Sequence, residues 1–322
     1  MPRVSVIIPT YNRATTLPRA VDSALEQTVD DLEVVVVDDG STDETASVLA
    51  GYDDPRVRVV THETNRGANV ARNTGIEHAR GEYVAFLDSD DEWRPTKLER
   101  QLAVLDRRSS EWVAAYCDFT IDVTGTTGRF QQLVAGVLSR ADDETTREGG
   151  DELVGEILAD NVHPGAGSTL LVRRDVVREV GGFDETLDRF QDPEFVLRIL
   201  EEGNLAYVDE PLVVREETGS PPADVVRAAD EQYLSTYEDT VDRLEAAGYE
   251  IHSSHELVLA KHYLAEGRLL RGAWHLRKAA VPPRHYPGLL WAAGTGVRRR
   301  PIPVVAVAAL VLAVVGWYGR QS

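Results

Sequence analysis

Four short apolar runs rich in β-branched residues set the frame for this chain. They are residues 4–8 (Val-Ser-Val-Ile-Ile), 33–37 (Glu-Val-Val-Val-Val), 57–60 and 83–87, each bounded by turn residues. Runs that are apolar on both faces suit the central strands of a parallel sheet. Helical patterns alternate with them at 15–26, 42–50, 68–79 and 95–106. The second of these opens with Ser41 and carries Glu44 three residues on, a capping-box spacing. Such alternation predicts a doubly wound, mostly parallel α/β sheet with right-handed crossovers. Ligands of such sheets bind at the carboxyl ends of the strands.

The second half is less regular. A strand is expected at 111–118, a hairpin at 119–133 with Gly125 and Gly128, and a polar, acidic loop at 139–151. Helices follow at 152–159, 173–180 and 192–202, with strands near 167–172 and 205–215. Ser220-Pro221-Pro222 marks a linker, after which 223–247, 253–266 and 269–280 read as helices. The break at Glu266-Gly267-Arg268 suggests an αα-hairpin like a single tetratricopeptide unit, and with no second copy a plain helical extension is the simpler reading. The expected division is 1–110 and 111–219 as two halves of one domain, 220–281 as a helical extension, and 282–322 as an interfacial segment and membrane anchor.

Every strand of the first half runs into a polar cluster. Pro9-Thr10-Tyr11-Asn12-Arg13 follows the first and Asp38-Asp39-Gly40-Ser41 the second; Asn65-Arg66-Gly67 with Arg72-Asn73, and then Asp88-Ser89-Asp90-Asp91, come later. Any one of these could be an ordinary turn, since Asp-Gly-Ser is a common helix start. Together they converge on one edge of the sheet. The carboxylates of Asp88, Asp90 and Asp91 repel one another, so a cation belongs among them. Hard oxygen ligands select Mg²⁺ or Mn²⁺, and such an ion bridges a diphosphate. Arg72 is a candidate for the phosphates, because a guanidinium matches their oxygens. Its plainer reading is a surface ion pair on an acidic protein.

These residues form a series. Val4-Ser-Val-Ile-Ile-Pro-Thr-Tyr-Asn12, Val36-Val-Asp-Asp-Gly-Ser-Thr-Asp43, Ala71-Arg-Asn-Thr-Gly75 and Phe86-Leu-Asp-Ser-Asp-Asp91 resemble the motifs of glycosyltransferase family 2. Gly181-Gly-Phe-Asp-Glu185 and Gln191-Asp-Pro-Glu-Phe-Val-Leu-Arg198 continue the resemblance in the same order, over about residues 1–215. It implies a GT-A fold and transfer with inversion at the anomeric carbon. It further implies that Thr10 and Asp39 hold the donor's base and Asp88 its ribose, with Pro9, Tyr11, Asn12 and Arg72 also counted in the donor-binding set. Asp90 would ligate Mg²⁺ or Mn²⁺, and Asp192 would be the catalytic base. Gln191 departs from the glutamate that often precedes the base. Asp192 also has a structural reading, as the N-terminal cap of a helix over 193–202 begun by Pro193. His163, beside Pro164 and Gly165, reads as a loop residue.

Charge and hydropathy bound the partners. The net charge is −20, yet residues 281–322 hold five arginines and no acid. Only Lys97, Lys261 and Lys278 are lysines, so 31 of the 34 basic residues are arginine. An acidic, lysine-poor surface stays hydrated in strong salt, which points to a salt-rich cytoplasm such as that of a halophilic archaeon. The same charge argues against nucleic acid as a partner. The single cysteine, Cys117, excludes an internal disulfide. Met1 to Arg3 lead straight into a strand with no secretory signal.

Residues 301–318 are free of charge and, as a helix, would span about 27 Å, close to the hydrocarbon thickness of a bilayer. Arg298, Arg299 and Arg300 precede this stretch and Trp317 and Tyr318 end it, which predicts a single-pass anchor in the cell membrane with the body in the cytoplasm. Leu289 to Ala293, with Trp291, is expected as an interfacial lead-in. An enzyme so tethered meets a polyprenyl- or dolichyl-linked acceptor, and its donor is a nucleoside-diphosphate-sugar. Either a hydroxyl of a lipid-linked glycan or the lipid phosphate itself then accepts the sugar, and a base at Asp192 favours the hydroxyl. A non-catalytic nucleotide-sugar-binding scaffold and a nucleotidyltransferase are the competing classes. The latter usually open with a glycine-rich signature, where this chain has Pro9-Thr10-Tyr11-Asn12.

Overall fold

The computed structural model describes residues 1–122, 145–216, 219, 221–282 and 285–299. Its described residues fall into two compact units, one drawn from 1–122, 146–154 and 163–216, the other from 145, 155–162, 219, 221–282 and 285–299.

The first unit is built on one sheet. Strands β1 (Val4–Thr10), β2 (Leu32–Asp38), β3 (Val57–Thr61), β4 (Tyr83–Phe86), β5 (Glu92–Trp93), β6 (Trp112–Asp122), β7 (Leu171–Arg173) and β8 (Asn204–Glu216) lie in the order β3-β2-β1-β4-β7-β6-β8-β5. β3, β2, β1 and β4 are mutually parallel. β7 then runs antiparallel to both β4 and β6, β8 is parallel to β6, and β5 is antiparallel to β8. The sheet is therefore mixed but mostly parallel, six strands running one way with only β7 and β5 against them. The reversal comes from β7, whose three residues enter between β4 and β6 from the opposite end.

The runs of β1, β2 and β4 earn their central places by burial on both faces, whereas the run 57–60, expected to be central, forms the edge strand β3 and is only partly buried, with Val59 exposed. Val34 and Val36 of β2 face the cluster of Leu17, Ala20, Val21 and Ala24 from helix α1 (Leu17–Leu25). Val35 and Val37 face Ala71 of α3 (Ala68–His78). Helices thus cover both sides of the same strand, and burying each such side chain contributes about 1.5–3 kcal/mol. α4 (Lys97–Leu105) adds Leu98, Leu102 and Leu105 at helical spacing to the first cluster.

Local details differ from the sequence expectations. Helix α2 (Thr45–Leu49) begins after Ser41 and Glu44, so the capping box does not form. Ser41 instead donates its amide to Asp38 Oδ1 at 3.0 Å and accepts the Asn12 amide at 2.9 Å. Asp43 takes the Thr45 amide at 3.0 Å. Residues 119–122, expected in a hairpin, extend β6 along β8. The remainder of that hairpin, positions 123–133, lies outside the described residues, as do 139–144 of the acidic loop, Ser220 and the apolar stretch 301–318.

Helices α5 (Asp151–Leu158), α6 (Arg174–Glu179) and α7 (Gln191–Glu202) follow β6. The second unit contains α8 (Ala223–Thr236), α9 (Glu238–Ala246), α10 (Ile251–Ala265), α11 (Leu269–Leu276) and α12 (Tyr286–Arg299). The helix expected over 223–247 breaks at Tyr237 (φ −110°, ψ 21°). Leu289, Ala292 and Ala293 pack inward, the first two with Leu257, Ala260 and Leu264 of α10, while Leu290 and Trp291 are exposed. Only part of the expected interfacial lead-in is therefore free to meet a surface. Among the described residues no helix is long and apolar enough to cross a membrane. A recess of about 790 Å³ lies among α8–α11, lined by Trp274, Leu270, Tyr263 and ion-paired side chains, and it contains none of the sequence-selected site residues.

Candidate active site

The parallel strands deliver their polar clusters to one edge. β1 and β2 are paired residue for residue through Pro9–Val37 and Thr10–Asp38, so the turns after them start side by side. The Asp39 amide donates to the Thr10 carbonyl at 2.8 Å. Asn12, held in the left-handed region at φ 53°, accepts the Thr42 amide on its side-chain oxygen at 2.8 Å. Thr10 is buried with its hydroxyl unpartnered, and Tyr11 is exposed.

Asp39 is the hub of the next cluster. Its carboxylate accepts the amides of Arg66 at 3.0 Å and Gly67 at 2.8 Å and lies 2.6 Å from His62 Nδ1. His62 Nε2 in turn meets Thr74 Oγ1 at 3.0 Å. The carboxylate therefore closes the loop that starts α3. A cavity of about 110 Å³ opens beside this loop between Arg66–Val70 and the segment Glu185–Gln191.

The acidic turn after β4 is tied to the first turn by arginines. Arg13 Nη2 lies 3.2 Å from Asp90 Oδ2, and Arg19 donates to the Asp90 carbonyl. Arg72 is buried and donates to Asp88 Oδ1 at 2.7 Å and to Asn69 Oδ1 at 3.2 Å, with its guanidinium 5.2 Å from the centre of the Phe183 ring. This is not a surface ion pair. Burial works against the Arg72 charge, but Asp88, Asp192 and Asp90 outweigh it and raise its pKa. Arg72, Asp88, Asp90 and Asp192 thus share one electrostatic neighbourhood.

Asp192 lies in the first turn of α7, whose N-cap is Phe190, and caps nothing. Its Oδ2 accepts the Gly167 amide at 3.2 Å instead, and its Oδ1 is enclosed without a partner although the residue as a whole is only half-buried. Desolvation raises its pKa, Arg72 pulls it back, and Asp88 pushes it up again. Burial, then Asp88, also raise Asp90, and Arg13 opposes them. Asp91 is pushed up to about 6 by burial, with Asp88 adding to it.

The Gly181–Glu185 motif supports the arrangement from beneath. Asn73 Oδ1 accepts the Phe183 amide at 2.8 Å and its Nδ2 donates to the Phe183 carbonyl at 2.9 Å. Gly182 (φ 75°) makes this approach possible, since a Cβ there would sit 2.4 Å from Asn73 Oδ1. Phe183 stacks on Phe195 of α7 at 4.1 Å, which fixes the helix that carries Asp192.

Sequence reasoning missed several participants. Asp91, though inside the acidic cluster, is a buried acceptor for Ser168 Oγ at 2.5 Å and the Glu216 amide at 3.1 Å. Gly167, Ser168, His62 and Arg19 carried no signal of their own, because a Gly-Ser-Thr run or a lone histidine resembles any loop.

The family model described as glycosyl transferase family 2 matches residues 5–181. This chain belongs to glycosyl transferase family 2. An uncharacterized glycosyltransferase of Rickettsia typhi is 32% identical over 213 residues, 66% of this chain and 63% of that protein. The chain therefore spans less than two thirds of that relative's length. An Escherichia coli UDP-Glc:alpha-D-GlcNAc-diphosphoundecaprenol beta-1,3-glucosyltransferase is 41% identical over 102 residues, 32% of this chain and 40% of that protein. Among solved structures, S. aureus TarS 1–349 in complex with UDP-GlcNAc aligns with a TM-score of 0.55 at 20% identity, covering 97% of this chain and 84% of that one. A mannosyltransferase from Pyrobaculum calidifontis, in complex with GDP-Man and Mn²⁺, aligns with a TM-score of 0.50 at 22% identity over 99% and 80%. These likenesses establish a mixed α/β GT-A fold with a helical extension for the family 2 chain.

Proposed function

We propose that this family 2 member transfers a sugar, with inversion, from a nucleoside-diphosphate-sugar to a hydroxyl of a lipid-linked glycan. The observation that carries the reading is the enclosed Asp192 carboxylate, which shares Arg72 and Asp88 with the acidic turn after β4. The acidic turn with Arg72 suits a departing diphosphate, and Asp192 a proton to be removed. Asp39 and the Thr10–Asn12 turn take the base, Asp88 the ribose, and Arg72 a phosphate oxygen. The UDP-sugar and GDP-sugar complexes of the structural neighbours support the donor class and leave the base open.

The carboxylates fit a hard divalent cation. Asp90 is destabilised as an anion by burial and by Asp88, a repulsion that a cation relieves. Among the described residues no three acidic, histidine or cysteine side chains surround one point. That suits Mg²⁺ or Mn²⁺, which take one or two carboxylates and complete their shell with phosphate and water. Asp90, with Asp88 beside it, would hold the ion, which when bound neutralises the charge of the leaving diphosphate.

Asp192 supplies the other half of the displacement. A carboxylate whose pKa burial has raised holds a proton better than one in water, and Arg72 opposes that shift by favouring the charged form. The Gly167 amide holds Oδ2, so Oδ1 is the oxygen left to receive the acceptor's proton. A phosphate acceptor needs no base, so this arrangement favours a hydroxyl. The uncharged stretch 301–318 with its arginine flank supports a membrane anchor that brings the body to a lipid-linked acceptor at the cytoplasmic face.

The test is incubation of the full chain with a panel of nucleotide-sugars, Mg²⁺ or Mn²⁺, and lipid-linked glycans beside bare polyprenyl phosphates, read by mass spectrometry. A hexose-sized mass gain on the glycan-bearing lipid is expected. Gain on the bare lipid phosphate alone would overturn the hydroxyl acceptor, and no gain with any donor would overturn the transferase reading.

A further inference from the structure

We propose that Ser168 is a positioning residue that fixes the spacing between the acidic turn Asp88–Asp91 and Asp192. This rests on the proposed transfer reaction. Ser168 is buried, and its hydroxyl is engaged in both directions. Its Oγ accepts the Asp88 amide at 3.1 Å and donates to Asp91 Oδ2 at 2.5 Å, so one atom clasps both ends of the turn. Only a group that donates and accepts at once can do this, and a hydroxyl is the smallest such side chain.

The neighbouring backbone extends the clasp to the other half of the site. The amide of Gly167 donates to Asp192 Oδ2 at 3.2 Å. A Cβ on Gly167 would lie 2.5 Å from Asp88 Oδ2, so this residue touches both carboxylates. The Ser168 carbonyl accepts Trp93 Nε1 at 2.8 Å, and the Thr169 carbonyl accepts Gln101 Nε2 at 2.8 Å. Trp93 is itself buried under Lys97, whose Nζ lies 3.8 Å from the ring centre. Residues 167–169 are therefore held on the core side while they hold Asp88, Asp91 and Asp192 on the site side. Catalysis by in-line displacement depends on the separation of those two ends, and a misplacement of 1 Å can cost about 10²-fold in rate.

The experiment compares Ser168→Ala, Ser168→Thr, Trp93→Phe and Asp192→Asn with the parent chain. Readouts are kcat and KM for transfer, calorimetric binding of UDP and GDP with Mn²⁺, and thermal melting. For Ser168→Ala, kcat should fall by about 10- to 100-fold while nucleotide affinity changes only a few-fold. Ser168→Thr, which keeps the hydroxyl, should recover most of the loss. A parent-like kcat in Ser168→Ala overturns the proposal, as does a loss of nucleotide binding equal to the loss of rate. Should Ser168→Ala not fold, Trp93→Phe loosens the same segment, and there a parent-like kcat is the overturning result. Asp192→Asn separates the two readings. If it transfers like the parent, the base assignment fails and takes the role of Ser168 with it; if it is dead while Ser168→Ala is active, Ser168 alone is refuted.

Discussion

The Gly167 amide donates to Asp192 Oδ2 at 3.2 Å, while the other carboxylate oxygen, Oδ1, is enclosed without a partner. A side chain in that condition is poorly stabilised as an anion, which is a cost to the fold and an asset to a base.

Asp192→Asn therefore separates activity from stability. Transfer should fall by about 10²- to 10⁴-fold, the usual contribution of a positioned proton acceptor. Melting at pH 7 should not fall, because the amide removes a desolvated charge. Steady-state kinetics and calorimetry on the same preparation check both halves.

Chelation gives a second expectation. EDTA should abolish transfer, and added Mg²⁺ or Mn²⁺ should restore it. Asp90→Ala should stay inactive at every concentration of either ion, since Arg13 would lose its partner and the ion its ligand. Recovery of Asp90→Ala at high Mn²⁺ would place the ligand elsewhere.

Asp39→Ala should weaken both the fold and the donor site. It leaves the Arg66 and Gly67 amides without their acceptor, at a cost of about 1–3 kcal/mol for each group left unsatisfied. UDP and GDP affinity should drop by about tenfold or more, equal to about 1.4 kcal/mol, because the loop that begins α3 is no longer closed. Denaturant melts and calorimetry report the two effects separately.

Gly167→Ala tests a close approach. The added methyl would lie 2.5 Å from Asp88 Oδ2, so the carboxylate must swing away against its 2.7 Å bond to Arg72. Transfer should fall by about 10-fold or more, on the scale of a sub-ångström displacement in the site. Kinetics with unchanged near-ultraviolet dichroism would show that the loss is local.

Asp91 gives a pH signature in metal-free protein. Its carboxyl, pushed up to about 6 by burial and Asp88, binds a proton more tightly folded than unfolded. Stability from this group is full at low pH and is lost as pH rises from about 4 to about 6, by on the order of 3 kcal/mol. Relative to the parent, Asp91→Asn should gain stability at pH 7 and lose that advantage as pH falls to 4. Urea titrations across this range read the trend, and a gap that widens towards acid would contradict it.

Much of the first unit was legible because β1, β2 and β4 are buried on both faces, a condition that writes itself into the sequence as unbroken apolar, β-branched runs. β5 and β7 were harder, since two or three residues carry no period and owe their pairing to neighbours brought by the tertiary fold. The capping box failed because Asp38 takes the Ser41 amide while Asn12, 29 or more residues away, occupies the Ser41 hydroxyl and the Thr42 amide. The 223–247 helix was read as continuous because nothing in its composition marks Tyr237 as a break. The acidic residues and Arg72 were visible by charge and order, whereas Gly167 and Ser168 act through an amide, an absent Cβ and one hydroxyl, which no spacing rule records.

The stacking of Phe183 on Phe195 has an engineering consequence. Asp192 rides on a strut braced from below, and its aim belongs to the strut. Anyone wishing to redirect such a catalyst toward a new acceptor can treat this carboxylate as a surveyor's fixed mark, and graft or randomise the surrounding turns while leaving Phe183 and Phe195 alone.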